Sequence, residues 1–291
     1  MPVILGEIST LTNPLSGVRI WALVSGCITF SLVASMDIPP ETRHLTLYRT
    51  FCMFVWCFFF TLTFLILAIT YIQFHSLLPL SWKNLTVTVA ALASLMCLAA
   101  TLAFPWMVTS SAAQRAAEPR KVAASASSSL TSLAYATETY LIRFQSQEQR
   151  GYMASLPGLL KVVQVFGGCV LLLLVVDQSE EGNAAWKLCV TGSAYALCLL
   201  VSLGTVVVML GECAGRCLVP FDRLLAAFGV LGVLLYMMAA VVCSTKVLQL
   251  QDPGTTAARV AVICEMVLSC ITLLAYTIDL AFSVKLLCDR N

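Results

Sequence analysis

Three acidic residues, Glu138, Glu265 and Asp279, lie inside long apolar stretches of this chain, and Tyr135 and Tyr276 stand three residues before two of them. A carboxylate in such a setting is costly, so it must be paired or must handle protons or ions. Helical spacing gathers these groups onto shared faces. Ser128, Thr131, Tyr135 and Glu138 follow one seam, and Ser269, Thr272, Tyr276 and Asp279 follow another, with Glu265 one turn ahead of Ser269. On these seams each tyrosine is expected to donate to the acid beside it. Ala124, Ser128, Ser132 and Ala136 recur every four residues as a small-residue groove for close helix approach.

Two roles compete for the acids: a proton or ion site, or packing and anchoring. Each lies five or six residues from a base nearer the helix end, Glu138 from Arg143, Glu265 from Arg259 and Asp279 from Lys285. That depth is only about 8 Å along a helix. A coupling site belongs nearer the bilayer midplane, so the expected role is structural, each acid pairing with that base or reaching the interface.

Other chemistry is sparse. The two histidines, His44 and His75, fall in or beside loops on opposite sides of the membrane and cannot share a metal or a catalytic site. No HExxH, GxSxG, Walker or dinucleotide motif occurs. The chain is therefore expected to be no enzyme and to carry no cofactor or metal. Of 13 cysteines, Cys213, Cys217 and Cys288 lie outside the apolar stretches in juxtamembrane positions and are candidates for S-palmitoylation.

The elements that must position these residues follow from composition. Hydrophobic residues make up 59% of the 291 and charged residues 11%, against about 45–50% and about 25% in soluble domains. A water-soluble globule is excluded, and a net charge of +2 provides no field for nucleic acid. Five charge-free runs read as membrane spans: Ile20 to Met36, Thr50 to Ile72, Leu85 to Val108, Leu188 to Leu210 and Leu224 to Thr245. Val122 to Ile142, Ser155 to Val176 and Val260 to Val284 are long enough to span but carry Glu138, Lys161, and Glu265 with Asp279, respectively. The reading is all-α, a polytopic membrane protein of eight transmembrane helices. Continuous apolar runs exclude the alternation of barrel strands.

Eight spans place both termini on one side. Basic residues divide almost evenly between the sides, so the positive-inside rule does not choose. Cytosolic termini would keep Cys213, Cys217 and Cys288 in a reducing compartment, and this orientation is the expected one.

A shift of 141 residues carries Ser128, Thr131, Leu133, Ala134, Tyr135 and Glu138 onto Ser269, Thr272, Leu274, Ala275, Tyr276 and Asp279. One residue further, Gly26-Cys27 meets Gly168-Cys169. The chain thus reads as a duplicated four-helix unit, 10–147 and 151–289, repeated in the same orientation.

The stretches GYMASLPGLLKVVQ (Gly151 to Gln164), LPLSWKN (Leu78 to Asn84), AYATE (Ala134 to Glu138) and TFSLVAS (Thr29 to Ser35) resemble the myeloid-associated differentiation marker family. The resemblance covers nearly the whole chain. It implies two tandem MARVEL domains, each a four-helix membrane bundle, and a plasma-membrane protein of cholesterol-rich microdomains, trafficking and junctions. Its partners would be the lipid bilayer and other membrane proteins. The favoured function is a non-enzymatic organiser of membrane microdomains. The alternative is a small transporter or channel using the intramembrane carboxylates, with a site between the two four-helix units.

Overall fold

The computed structural model describes residues 13–36, 43–73, 80–110, 119–144, 152–178, 185–211, 221–249 and 256–290. Among them the chain is all-helical: α1 (Pro14–Ala34), α2 (Arg43–Ile72), α3 (Trp82–Ser110), α4 (Pro119–Phe144), α5 (Leu156–Gln178), α6 (Ala185–Leu210), α7 (Phe221–Gln249) and α8 (Thr256–Arg290), with one 3-10 turn at Tyr152–Ala154.

Among the described residues, seven helices are long and apolar enough to cross a membrane: Pro14–Ala34, Thr46–Ile72, Trp82–Pro105, Leu156–Gln178, Ala185–Leu210, Arg223–Leu248 and Arg259–Cys288. The protein is a polytopic all-α membrane protein. The eighth expected span, α4, forms as a helix, but it is rich in Ser and Thr and is not among the helices that qualify by length and composition. The first helix also begins earlier than Ile20. Asn13 caps it, its Oδ1 accepting from the Leu15 N–H at 3.4 Å, Pro14 takes the first turn, and Arg19 lies inside it.

The chain divides into two compact units, Met1–Ser155 and Leu156–Asn291. In the first, α1 packs on α2 and α4, and α3 on α2 and α4; in the second, α5 packs on α6 and α8, and α7 on α6 and α8. Each set of four helices therefore closes on itself. The 3-10 turn stays with the first unit because the Met153 N–H donates to Asn84 Oδ1 at 3.0 Å, with both residues buried. Two of the stretches that carry the family resemblance meet in that bond.

Outward-facing positions include large apolar side chains, with Leu102 69%, Leu200 67% and Val241 65% exposed. The seams turn inward. Ser128, Thr131, Tyr135 and Glu138 are all buried, and so are Ser269, Thr272, Tyr276, Asp279 and Glu265. Ala124, Ser128 and Ser132 lie on the same inner face, but Ala136 is exposed. A spacing of four residues drifts by about 40° per step on an α-helix, so the groove rotates out of the interface before its fourth member.

Candidate functional site

Hydrogen bonding hydroxyls satisfy most of the polar interior of the first unit. Thr131 donates to Ser25 Oγ at 2.9 Å, Ser127 donates to Ser25 O at 2.9 Å, and Ser132 donates to Ser94 O at 3.1 Å. Trp56 Nε1 donates to Ser128 Oγ at 3.1 Å, and Ser128 shares a further bond of 2.7 Å with Thr101. Near the start of α1 and the end of α4, Arg19 Nε meets Glu138 Oε1 at 2.6 Å, each side chain only 4% exposed.

The second unit repeats that ion pair with another base. Lys161 Nζ on α5 bonds Asp279 Oδ2 on α8 at 2.5 Å, and Gln164 Nε2 donates to the same oxygen at 3.1 Å. At the other end of α8, Glu265 is fully buried and bonded from three helices. Lys246 Nζ contacts its two oxygens at 3.0 and 3.2 Å, Gln178 Nε2 donates at 2.8 Å, Cys243 Sγ at 3.2 Å and Tyr195 OH at 3.5 Å.

These contacts correct two expectations. None of the acids pairs with the base on its own helix; Arg143, Arg259 and Lys285 are exposed, and the partners are Arg19, Lys246 and Lys161 from neighbouring helices. Positions five or six residues apart are turned by about 120–140° around a helix, so a buried acid and its neighbouring base face different ways. Nor do the seam tyrosines serve their acids. Tyr135 OH shares a 2.8 Å bond with Thr63 Oγ1 and donates to Phe59 O at 3.2 Å; Tyr276 OH shares a 2.6 Å bond with Ser202 Oγ and donates to Cys198 O at 3.3 Å.

Arg19, Lys161, Lys246, Gln164 and Gln178 are the site residues that sequence reasoning missed. A signal existed for the first two: Arg19 and Lys161 stand at the same spacing as Gly26-Cys27 and Gly168-Cys169. Of the acylation candidates, Cys288 is exposed near the end of α8, whereas Cys213 and Cys217 lie outside the described residues. Among the described residues no cluster of three or more His, Cys, Asp or Glu could hold a metal ion.

Relatives match this sequence over almost its whole length. The chain is 31% identical to the myeloid-associated differentiation marker homolog of Xenopus laevis, covering 98% of this chain and 96% of that protein. It is 32% identical to the human myeloid-associated differentiation marker, over 98% of this chain and 92% of that protein. The chain belongs to the myeloid-associated differentiation marker family. Within that family it is also 34% identical to the mouse myeloid-associated differentiation marker-like protein 2, over 96% and 94% of the two chains. No protein-family model matches the chain, and no solved structure does.

Proposed function

We propose that this member of the myeloid-associated differentiation marker family is a non-enzymatic membrane organiser, sorting with ordered plasma-membrane microdomains and neighbouring membrane proteins. The single observation that carries the reading is how the charges are used. Glu138, Glu265 and Asp279 are each tied to a base within their own unit, and the outer faces offer large apolar side chains. Such a molecule meets lipid and other helices rather than dissolved substrates.

In this reading each unit is a MARVEL-like four-helix bundle, and α4 crosses the membrane as an eighth span. Supporting the latter is the bonding of its hydroxyls: Ser129, Thr137 and Thr139 bond carbonyls within α4, and Ser127, Ser128, Thr131 and Ser132 bond α1, α2 or α3. At 26 residues α4 is about 39 Å long, enough to span the hydrocarbon core. Both termini would be cytosolic, with Cys213, Cys217 and Cys288 placed for S-palmitoylation.

The test is phase partitioning of the tagged protein in vesicles shed from the plasma membrane, comparing the native chain with a variant bearing Ser at all three cysteines. Entry of the native chain into the ordered phase, and loss of that entry in the triple variant, is the expected result. Native protein confined to the disordered phase would remove the basis for microdomain sorting.

A further inference from the structure

A shared frame makes each four-helix unit a control for the other. On α1 and α5, Ala22 and Met36 hold the places of Gln164 and Gln178. On α2 and α6 the seam tyrosines fix the register, since Tyr135 donates to Phe59 O and Tyr276 to Cys198 O; Ile66, two turns beyond Phe59, therefore corresponds to Thr205. On α3 and α7, Ala90, Ala93 and Cys97 recur as Gly229, Gly232 and Tyr236, all buried.

The place that the first unit fills, the second leaves open. In the first, the Phe59 ring meets Tyr135 edge-on with centroids 6.4 Å apart, and Ala22, Ile66 and Ala93 are buried too. The second carries a thiol, an amide, a hydroxyl and a glycine at those four positions, and a cleft lies there. Its floor is Lys161, Gln164, Ser202, Thr205 and Tyr276, all buried, and its lips include Leu197 of α6 and Leu231 of α7, both exposed. Interiors avoid voids, and polar groups are unfavourable inside unless bonded. A frame that closes without either gives the cleft a role other than folding.

The floor selects its occupant. Lys161 Nζ at 2.5 Å and Gln164 Nε2 at 3.1 Å both donate to Asp279 Oδ2. An ammonium has three N–H groups and an amide two, so each can serve a second oxygen. Thr205 donates to Ser202 O at 2.7 Å and Ser202 to Gln164 Oε1 at 3.4 Å, so both hydroxyl oxygens can accept. A group that accepts from one side and donates to the other is a hydroxyl. Asp279 neutralises Lys161, so a phosphate or carboxylate would be buried there without a net opposite charge.

Size and depth narrow the class further. The cleft has room for about one water molecule. That suits a hydroxyl on a flexible methylene stem, whereas the rigid rings of a sterol would have to follow its hydroxyl into the gap. Lys161 lies five residues into α5 and Thr205 five before the end of α6, which sets the floor about 8 Å below those helix ends. An uncharged lipid reaches that depth; a charged headgroup stays at the interface.

We propose that this cleft binds a membrane lipid through a free primary hydroxyl, the chemistry of a diacylglycerol. The hydroxyl accepts from Lys161 or Gln164 and donates to Ser202 or Thr205, and the acyl chains leave past Leu197 and Leu231 onto the outer faces of α6 and α7. Cys198, Thr205 and Gly232 admit it where Phe59, Ile66 and Ala93 close the first unit. Binding needs neither ordered-phase sorting nor acylation, so this site and the organiser reading can fail separately.

Purified full-length protein in lipid nanodiscs, with a photoreactive diacylglycerol as probe, tests it. Irradiation is expected to label the protein, and unlabelled diacylglycerol to suppress the labelling. Triacylglycerol, in which the hydroxyl is esterified, and phosphatidic acid, in which it is phosphorylated, should each compete about tenfold less well, the loss for a hydrogen-bonding group left unmatched. Cys198→Phe and Thr205→Ile, which restore the residues of the first unit, should each abolish labelling in folded protein, whereas Leu200→Ala, on the outer face of α6, labels as native. Should neither cleft variant fold, the competition series decides alone. Equal competition by triacylglycerol, stronger competition by a sterol, or native labelling of a folded Cys198→Phe or Thr205→Ile variant overturns the proposal.

Discussion

Arg19 on α1 and Glu138 on α4 are joined at 2.6 Å although 119 residues separate them, and Lys161 and Asp279 are joined at 2.5 Å across 118. In each unit the pair ties the first helix to the fourth and so closes the set of four. Removing one partner leaves a buried charge, which costs about 3–5 kcal/mol. Glu138→Ala and Asp279→Ala should each lower the unfolding temperature in detergent and reduce delivery to the cell surface. The double variant Arg19→Leu with Glu138→Leu should recover most of the loss, because two apolar side chains can replace a buried pair. A double variant no more stable than Glu138→Ala would show that the pair contributes more than charge compensation.

Close contact between α5 and α8 depends on Gly167. A Cβ there would run into the Thr272 side chain, its Cγ2 3.0 Å away and its Cβ 3.1 Å away. Gly167→Ala should therefore destabilise the second unit by about 1–3 kcal/mol, the usual effect of overpacking. Thr272→Ala should relieve the clash. Thermal unfolding of the two single variants and the double variant checks this, since the double should lie above Gly167→Ala alone.

The tyrosines separate bonding from burial. Tyr135 makes two hydrogen bonds, and Tyr236, equally buried at 1% exposure, makes none. Tyr135→Phe should cost about 1 kcal/mol, while Tyr236→Phe should cost nothing or stabilise. Paired denaturation curves at one detergent concentration would decide it; an equal loss in both variants would mean the Tyr236 hydroxyl has a partner.

Helical periodicity in the sequence revealed which face of α4 and α8 turns inward, because a polar seam in an apolar helix has only one favourable direction. Its partners were hidden for a different reason. Screening for charge-free runs set Arg19 outside the first span, whereas its guanidinium is drawn into the bundle by Glu138. The nearest base in sequence was preferred to the nearest in space, although Arg143 lies on another face from Glu138. Register between helices was legible only through the repeat, in which Arg19 and Lys161 occupy one position and Ala124 and Glu265 another.

That last position leads to a sharper experiment on the Glu265 cluster. Glu265→Ala places there the side chain that the first unit carries at Ala124, but it leaves Lys246, 10% exposed, and Gln178 without their carboxylate. Alone it should destabilise by about 3–5 kcal/mol. Adding Gln178→Met, the residue found at Met36, together with Lys246→Met removes both stranded groups. The triple variant should regain the native unfolding temperature or exceed it, since well-packed apolar replacements of buried ion pairs are often neutral or stabilising. Unfolding in detergent separates the cases. A triple variant as unstable as Glu265→Ala would mean that the cluster is required by the frame of the second unit, and the contrast with the first unit would lose its force.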